Sequence, residues 1–276
     1  MLNKETQILH KRLLNQTIGA SISIDWTGEI PFNRVVEFCQ KLMQRFGVTP
    51  KRWSALAEGR TITGRKEIEN QKRGDFNKTC ELYIENSHPE SKNFWSFIIS
   101  YVESLRSENK QAVNVFQIYW NKDIYSVDLM EISDLLQVFI SRNANFYYGI
   151  GFEGVYNSAI DVYGPGFAVS YSFDIKNENP FLWAKLARED YSNPNRRDRF
   201  GGRQRFPYPI NYLSETQLKK RIENTTFEEW IVSLGIDPKD SLKNIGNNLW
   251  RLILRKQDFD LILSSNLARD FFVSLE

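Results

Sequence analysis

Histidine and cysteine are scarce in this chain of 276 residues, with two of each. Two cysteines, Cys39 and Cys80, cannot build a multi-bridge disulfide scaffold, and there is no paired CxxC to hold zinc. The histidines, His10 and His88, lie far apart, one in a charged N-terminal arm and one before a proline. There is no HExxH, no phosphate-binding glycine loop closed by Lys-Ser or Lys-Thr, and no GxGxxG behind a strand. No uncharged apolar run reaches 18 residues, which excludes a membrane-spanning helix. The N-terminus, MLNKETQILHKRLL, mixes charges and does not read as a secretory signal. Neither sign of charge dominates: 36 basic against 34 acidic residues leave a formal net charge of +2. Any basic surface must therefore be local, with no global footprint for nucleic acid. A free thiol at Cys39, on the apolar face of a predicted helix with Val35, Leu42, Met43 and Phe46, fits a reducing compartment. The expectation is a soluble cytoplasmic protein.

What the chain has is aromatic strand pattern. Aromatic residues make up 14% of it, enough for a large core. The stretch Phe146 to Ile175 reads FYYGIGFEGVYNSAIDVYGPGFAVSYSFDI, two alternating runs around a Gly164-Pro165-Gly166 turn. Period-two alternation of this length predicts two antiparallel strands. Phe146, Tyr148, Ile150, Phe152 and Tyr156 share one face of the first run, Gly149, Gly151 and Glu153 the other. Further strands are predicted at 18–26, 53–57, 80–85 and 113–120, with 124–127 as a hairpin partner. Helices are predicted from Pro31 to Phe46, over 94–105, and from a cap pair Asp128/Glu131 to Arg142. Residues 58–78 read as a loop or weak helix. Capping boxes Ser214/Gln217 and Thr226/Glu229 place two more helix starts. The segments 249–254 and 259–263 are apolar but too short for periodicity to separate strand from helix. The fold class is α+β: an antiparallel-rich sheet with amphipathic helices and a more helical C-terminal third. Residues 1–175 read as a sheet-forming region of two similar halves, and 176–276 as a mainly helical region packed on it or continuous with it.

Three constellations could carry chemistry. Asp161 and the Asp174-Ile175-Lys176 triplet match the Asp plus D/E-x-K pattern of restriction-type nucleases. There two carboxylates hold magnesium and the lysine steadies the attacking water. Against this, the acids fall at strand ends, and such triplets arise by chance. The second is an arginine-rich segment, Arg196, Arg197, Arg199, Phe200, Arg203 and Arg205 around Gly201-Gly202. Guanidinium forks suit carboxylate or phosphate, and aromatics stack on bases. The competing reading is a solvated loop whose arginines pair with Glu189 and Asp190. A smaller basic patch spans Arg60, Arg65, Lys66, Lys72 and Arg73. The third is Phe206-Pro-Tyr-Pro-Ile-Asn-Tyr-Leu-Ser-Glu-Thr-Gln-Leu218, a structural corner. Tyr208, Ile210 and Tyr212 should plug the core there, and Asn211 should satisfy turn backbone.

That last run resembles a segment of bacterial defence-island proteins, and the wider plan is similar to immunity proteins of polymorphic-toxin systems. The resemblance implies a cytoplasmic α+β protein that neutralises a toxin by binding it, without a cofactor. The favoured expectation is thus a non-enzymatic module for an acidic protein partner. The alternative is a nucleic-acid-binding protein or magnesium-dependent nuclease of a defence system.

Overall fold

A computed structural model describes residues 17–27, 30–48, 52–57, 60–64, 79–86, 97–102, 114–141, 145–156, 173–174, 177–179, 182 and 202–275. The chain opens with β1 (Thr17–Thr27) and α1 (Phe32–Phe46), then β2 (Arg52–Ala57), β3 (Arg60–Gly64), β4 (Thr79–Asn86), β5 (Phe97–Val102) and β6 (Asn114–Asn121). After α2 (Leu129–Ile140) come β7 (Asn145–Tyr156), β8 (Phe173–Asp174) and β9 (Ile210–Ser214). The last part holds α3 (Glu215–Leu218), a small ribbon of β10 (Arg221–Ile222) and β11 (Thr225–Thr226), α4 (Phe227–Ser233) and α5 (Pro238–Ser241). It ends with β12 (Leu242–Gly246), β13 (Leu249–Ile253), α6 (Lys256–Leu263) and α7 (Ala268–Phe271).

Eleven strands form one sheet in the order β12-β13-β9-β7-β1-β6-β5-β4-β2-β3, with β8 also on β7. The fold is α+β, and the strand pairs are antiparallel. Because β9 pairs with β7, the sheet continues across residue 176, and three of its strands come from beyond that point. β1 is followed directly by α1, and β6 by α2.

The two faces carry separate cores. On one, Ile22 and Ile24 of β1, Phe97 and Ile99 of β5 and Phe116 and Trp120 of β6 pack under α1 and α2. Phe38 of α1 stacks on Phe139 of α2 with ring centres 4.3 Å apart, tying the two helices together. On the other face, Tyr148, Ile150 and Phe152 of β7 pack against Phe206, Tyr208, Phe227, Trp230 and Phe272. α1 stops where a left-handed residue is needed: Gly47 has φ 62°, and the Val48 N–H donates to the Met43 carbonyl at 2.9 Å.

Several expectations are corrected. Residues 97–102 of the predicted 94–105 helix form β5, with Phe97, Ile99 and Tyr101 buried on one face. The run FIISYV is β-branched and aromatic, and its pairing with β4 and β6 overrides the helical spacing. β3 falls inside the 58–78 loop, and 124–127 form no strand. Asp128 does cap α2, accepting from the Met130 N–H at 2.6 Å, but Glu131 turns away to pair with Arg45 of α1. The long central strand is β7. A bulge breaks its alternation near Tyr147, so that Phe146 registers with Trp26 and Tyr148 with Asp25. Of the second run, Phe173 and Asp174 pair antiparallel with Tyr156 and Val155, as a hairpin requires. Residues 157–172, with the turn, lie outside the described residues. The ambiguous segments resolve as β13 and α6, and both capping boxes at 214 and 226 form.

Candidate functional site

A buried polar cluster lies on the C-terminal side of the sheet, where the chain from Gly202 to Pro209 crosses β7. Proline and aromatic residues hold that crossing in one shape: Phe206 and Tyr208 are buried. Asn211 clamps the corner, donating to the Tyr208 carbonyl at 2.6 Å and accepting from the Tyr208 N–H at 3.3 Å. Ile210 and Tyr212 then point into the opposite core. The corner therefore plugs both cores at once.

Arg205 sits at the centre of the crossing, 0% exposed. Its Nε donates to Glu178 Oε1 at 2.8 Å, and the Tyr208 hydroxyl donates to the same oxygen at 2.6 Å. Its backbone N–H donates to the Tyr148 hydroxyl at 3.1 Å. The C-terminal strap closes the cluster. Ser274 N–H donates to the Arg205 carbonyl at 2.8 Å, and Asn179 N–H donates to the Ser274 carbonyl at 2.7 Å. Glu178 bridges to Leu275, and Gln204 to Phe272. Burial lifts the Tyr148 phenol well above its ordinary pKa. The Arg205 backbone N–H and guanidinium oppose that shift, while Glu178 and Asp25 add to it. Burial thus favours the neutral, hydrogen-bonding form of Tyr148. Asp25, directly opposite Tyr148 on β1, begins a buried polar row with Ser23 and Gln117, which face each other across β1 and β6. Neither the Ser23 hydroxyl nor the Gln117 amide nitrogen has a hydrogen-bond partner among the described residues.

Arg205 requires a correction. It is a core residue in a sealed ion pair, with both side chains 1% exposed or less, and offers nothing to a partner. The polar composition of the segment made it look solvated, and the carboxylate that draws it inward is 27 residues away in sequence. Arg203, two residues earlier, is half-buried. Arg196, Arg197, Arg199 and Phe200 lie outside the described residues, as do Asp161 and Lys176. Asp174 ends β8, opposite Val155. Among the described residues no group of three or more His, Cys, Asp and Glu could hold a metal ion. No helix there is long and apolar enough to cross a membrane. Sequence reasoning missed Asp25, Tyr148 and Glu178 as a unit. The one available signal was Asp25, a charged residue inside an apolar strand pattern.

No protein-family model matches the chain, and a search of curated proteins gives no match. Among solved structures, the Pseudomonas aeruginosa T6SS protein PA0821 is similar, with a TM-score of 0.57. The match covers 98% of this chain and 84% of that one at 9% sequence identity, which makes it a likeness of fold.

Proposed function

We propose that this chain is a non-enzymatic binding protein that recognises an acidic protein partner, an immunity-type protein that neutralises a toxin in the cell that makes it. The observation that carries the reading is the fold shared over nearly the whole chain with a protein named as a T6SS protein. A second feature supports it. Buried Arg205 is engaged internally with Glu178, and buried Tyr148 is a neutral bonding group. They fasten the crossing at 202–209 from beneath; the arginines at 196, 197 and 199 precede it on the chain, and Arg203 lies within it. In this reading those arginines, with Phe200, meet the partner's carboxylates, and Arg205 anchors the segment.

Titration of labelled DNA and RNA at two salt concentrations tests it. Binding should be weak and indifferent to sequence. Tight binding that falls steeply with salt, and that disappears on exchange of Arg197, Arg199 and Arg203 for Glu, would favour the nucleic-acid alternative. Magnesium-dependent cleavage abolished by Asp174→Ala and by Asp161→Ala would establish the nuclease.

A further inference from the structure

The sheet ends at β12 on one side and at β3 on the other, and the two edges are built differently. β12 carries devices that keep an edge strand from pairing again. Its register shifts between Asn244 and Gly246, Lys243 and Asn244 are exposed, and the Asn244 side-chain oxygen accepts from the Gly246 N–H at 2.8 Å. β3, with the sequence Arg-Thr-Ile-Thr-Gly, has no bulge, no lysine and no proline. It pairs with β2 in unbroken register, from Arg60 opposite Ala57 to Gly64 opposite Trp53. Register also says which backbone groups face outward. Two residues separate Ala57 from Arg60, so that pair closes the hairpin and exchanges both hydrogen bonds. Bonded pairs alternate along an antiparallel ladder, so the next are Ala55 with Ile62 and Trp53 with Gly64. The N–H and C=O of Thr61 and Thr63 are therefore directed away from β2, and no described strand lies beyond them.

An extended polypeptide supplies the alternating donors and acceptors that such an edge takes, and a nucleic-acid backbone does not. Charge says which polypeptide. From 51 to 66 the sequence holds Lys51, Arg52, Arg60, Arg65 and Lys66 against Glu58. Arg52 begins β2 and Arg60 begins β3, at opposite ends of the hairpin, and neither strand contains an acid. Glu85 of β4 is in register with Arg52, whereas no acid is in register with Arg60. A second copy of this chain fits the edge poorly. Antiparallel pairing of β3 with itself about Ile62 sets Arg60 of each copy opposite Gly64 of the other, where Arg65 and Lys66 follow in sequence. Cations would then meet at both ends, which disfavours the pairing. We propose that the open edge of β3 accepts an extended acidic segment of the protein partner as an added strand. Main-chain hydrogen bonds to Thr61 and Thr63 hold it, and its carboxylates answer the basic flanks. The proposal rests on the reading of an acidic partner and gives that partner a second contact, several strands away from the crossing at 202–209.

The test uses the full chain labelled with nitrogen-15 and follows the backbone amide signals of Thr61, Ile62 and Thr63. The probe is a capped Glu-Val-Thr-Val-Glu peptide. Titrated in parallel are the same peptide methylated at every backbone nitrogen, a Lys-Val-Thr-Val-Lys peptide and a thymidine hexanucleotide. The acidic peptide should move the Thr61 and Thr63 signals saturably and slow exchange of their N–H with solvent, while the Ile62 N–H, bonded to β2, keeps the protection it has. The methylated and lysine peptides should not bind. Arg60→Glu should weaken binding of the acidic peptide about fivefold or more. Thr63→Pro removes an outward N–H that β2 does not use, and should weaken binding with the hairpin still paired. No movement at Thr61 and Thr63, equal binding of the methylated or lysine peptide, indifference to Arg60→Glu, or displacement by the hexanucleotide overturns the proposal. Self-association that moves the same two amides assigns the edge to a second copy and overturns it too. Should Thr63→Pro lose the hairpin, the methylated peptide and Arg60→Glu still decide. If the acidic peptide leaves both amides untouched while the triple exchange at 197, 199 and 203 still abolishes partner binding, this site alone is wrong and the proposed function stands.

Discussion

Gly149 gives the sharpest test of how the two cores meet. It lies in the middle of β7, opposite Tyr212 of β9 and Ile24 of β1. A Cβ added there would meet the Tyr212 ring and the Ser23 carbonyl oxygen at 2.9 Å, and Ile24 Cγ1 at 3.0 Å. The Ser23 oxygen is backbone in a central strand and cannot retreat. The Tyr212 ring is held from above by its 2.7 Å bond to Ser133. Gly149→Ala therefore overpacks the site, which costs about 1–3 kcal/mol. Displacing Tyr212 from Ser133 adds about 1 kcal/mol. The reduced freedom of the unfolded chain returns about 0.4–1 kcal/mol. The net loss is about 1–3.5 kcal/mol, a fall in Tm of about 2–14 °C for a chain of this size. Gly151, two residues on, is a control on the same face, where an added Cβ meets Ile210 at 3.2 Å and Ile22 at 3.3 Å. Those side chains can yield by a few tenths of an ångström, so Gly151→Ala should cost less than half as much. Urea unfolding of both variants measures the difference. In a Tyr212→Ala background, Gly149→Ala should cost less than it does in the wild type, but still something, because the Ser23 carbonyl remains. Equal losses for the two alanines, or a Gly149→Ala variant as stable as the wild type, would refute the close approach.

Removing one partner of the sealed ion pair, as in Glu178→Gln, should cost about 3–5 kcal/mol by urea titration, because it strands the Arg205 charge. Ser214→Ala removes a capping-box hydroxyl and should cost about 1 kcal/mol in the same assay. The Glu229 carboxylate accepts from the Thr226 backbone N–H and hydroxyl, which lowers its pKa from the ordinary 4.5. Its folded value is the depressed one, so its contribution is complete above pH 4.5 and fades as pH falls through the lowered value. The stability gap between wild type and Thr226→Ala should accordingly narrow on acidification below pH 4.5. Burial pushes the Cys39 thiol far above its usual pKa, so Cys39 should resist alkylation in the native protein and react only on unfolding, as read by peptide mass.

The elements that were legible in the sequence are those fixed locally. The alternation through Tyr148, Ile150 and Phe152 gave β7, the Gly47 stop gave the end of α1, and Ser-x-x-Gln and Thr-x-x-Glu gave two helix starts. β5 was not legible, because FIISYV satisfies helical and strand spacing alike over six residues, and only pairing with β4 and β6 decides it. The bulge near Tyr147 is invisible for the same reason, since it exists only in register with Asp25 and Trp26. The polar sites were the least readable. Arg205 and Glu178, or Arg251 and Asp134, are separated by 27 and 117 residues and meet only through the sheet. An arginine that closes a buried pair and one that meets solvent look alike in composition, and it is the carboxylate across the fold that separates them.

The most direct test of the binding account is the association rate with the protein encoded immediately upstream of this chain, followed by stopped-flow fluorescence at low salt. A stable complex should form. Exchange of Arg197, Arg199 and Arg203 for Glu should slow its formation by about tenfold or more while leaving Tm unchanged, since charge complementarity acts mainly on encounter. Association that proceeds at the wild-type rate in the triple variant, or no complex at all, would contradict it.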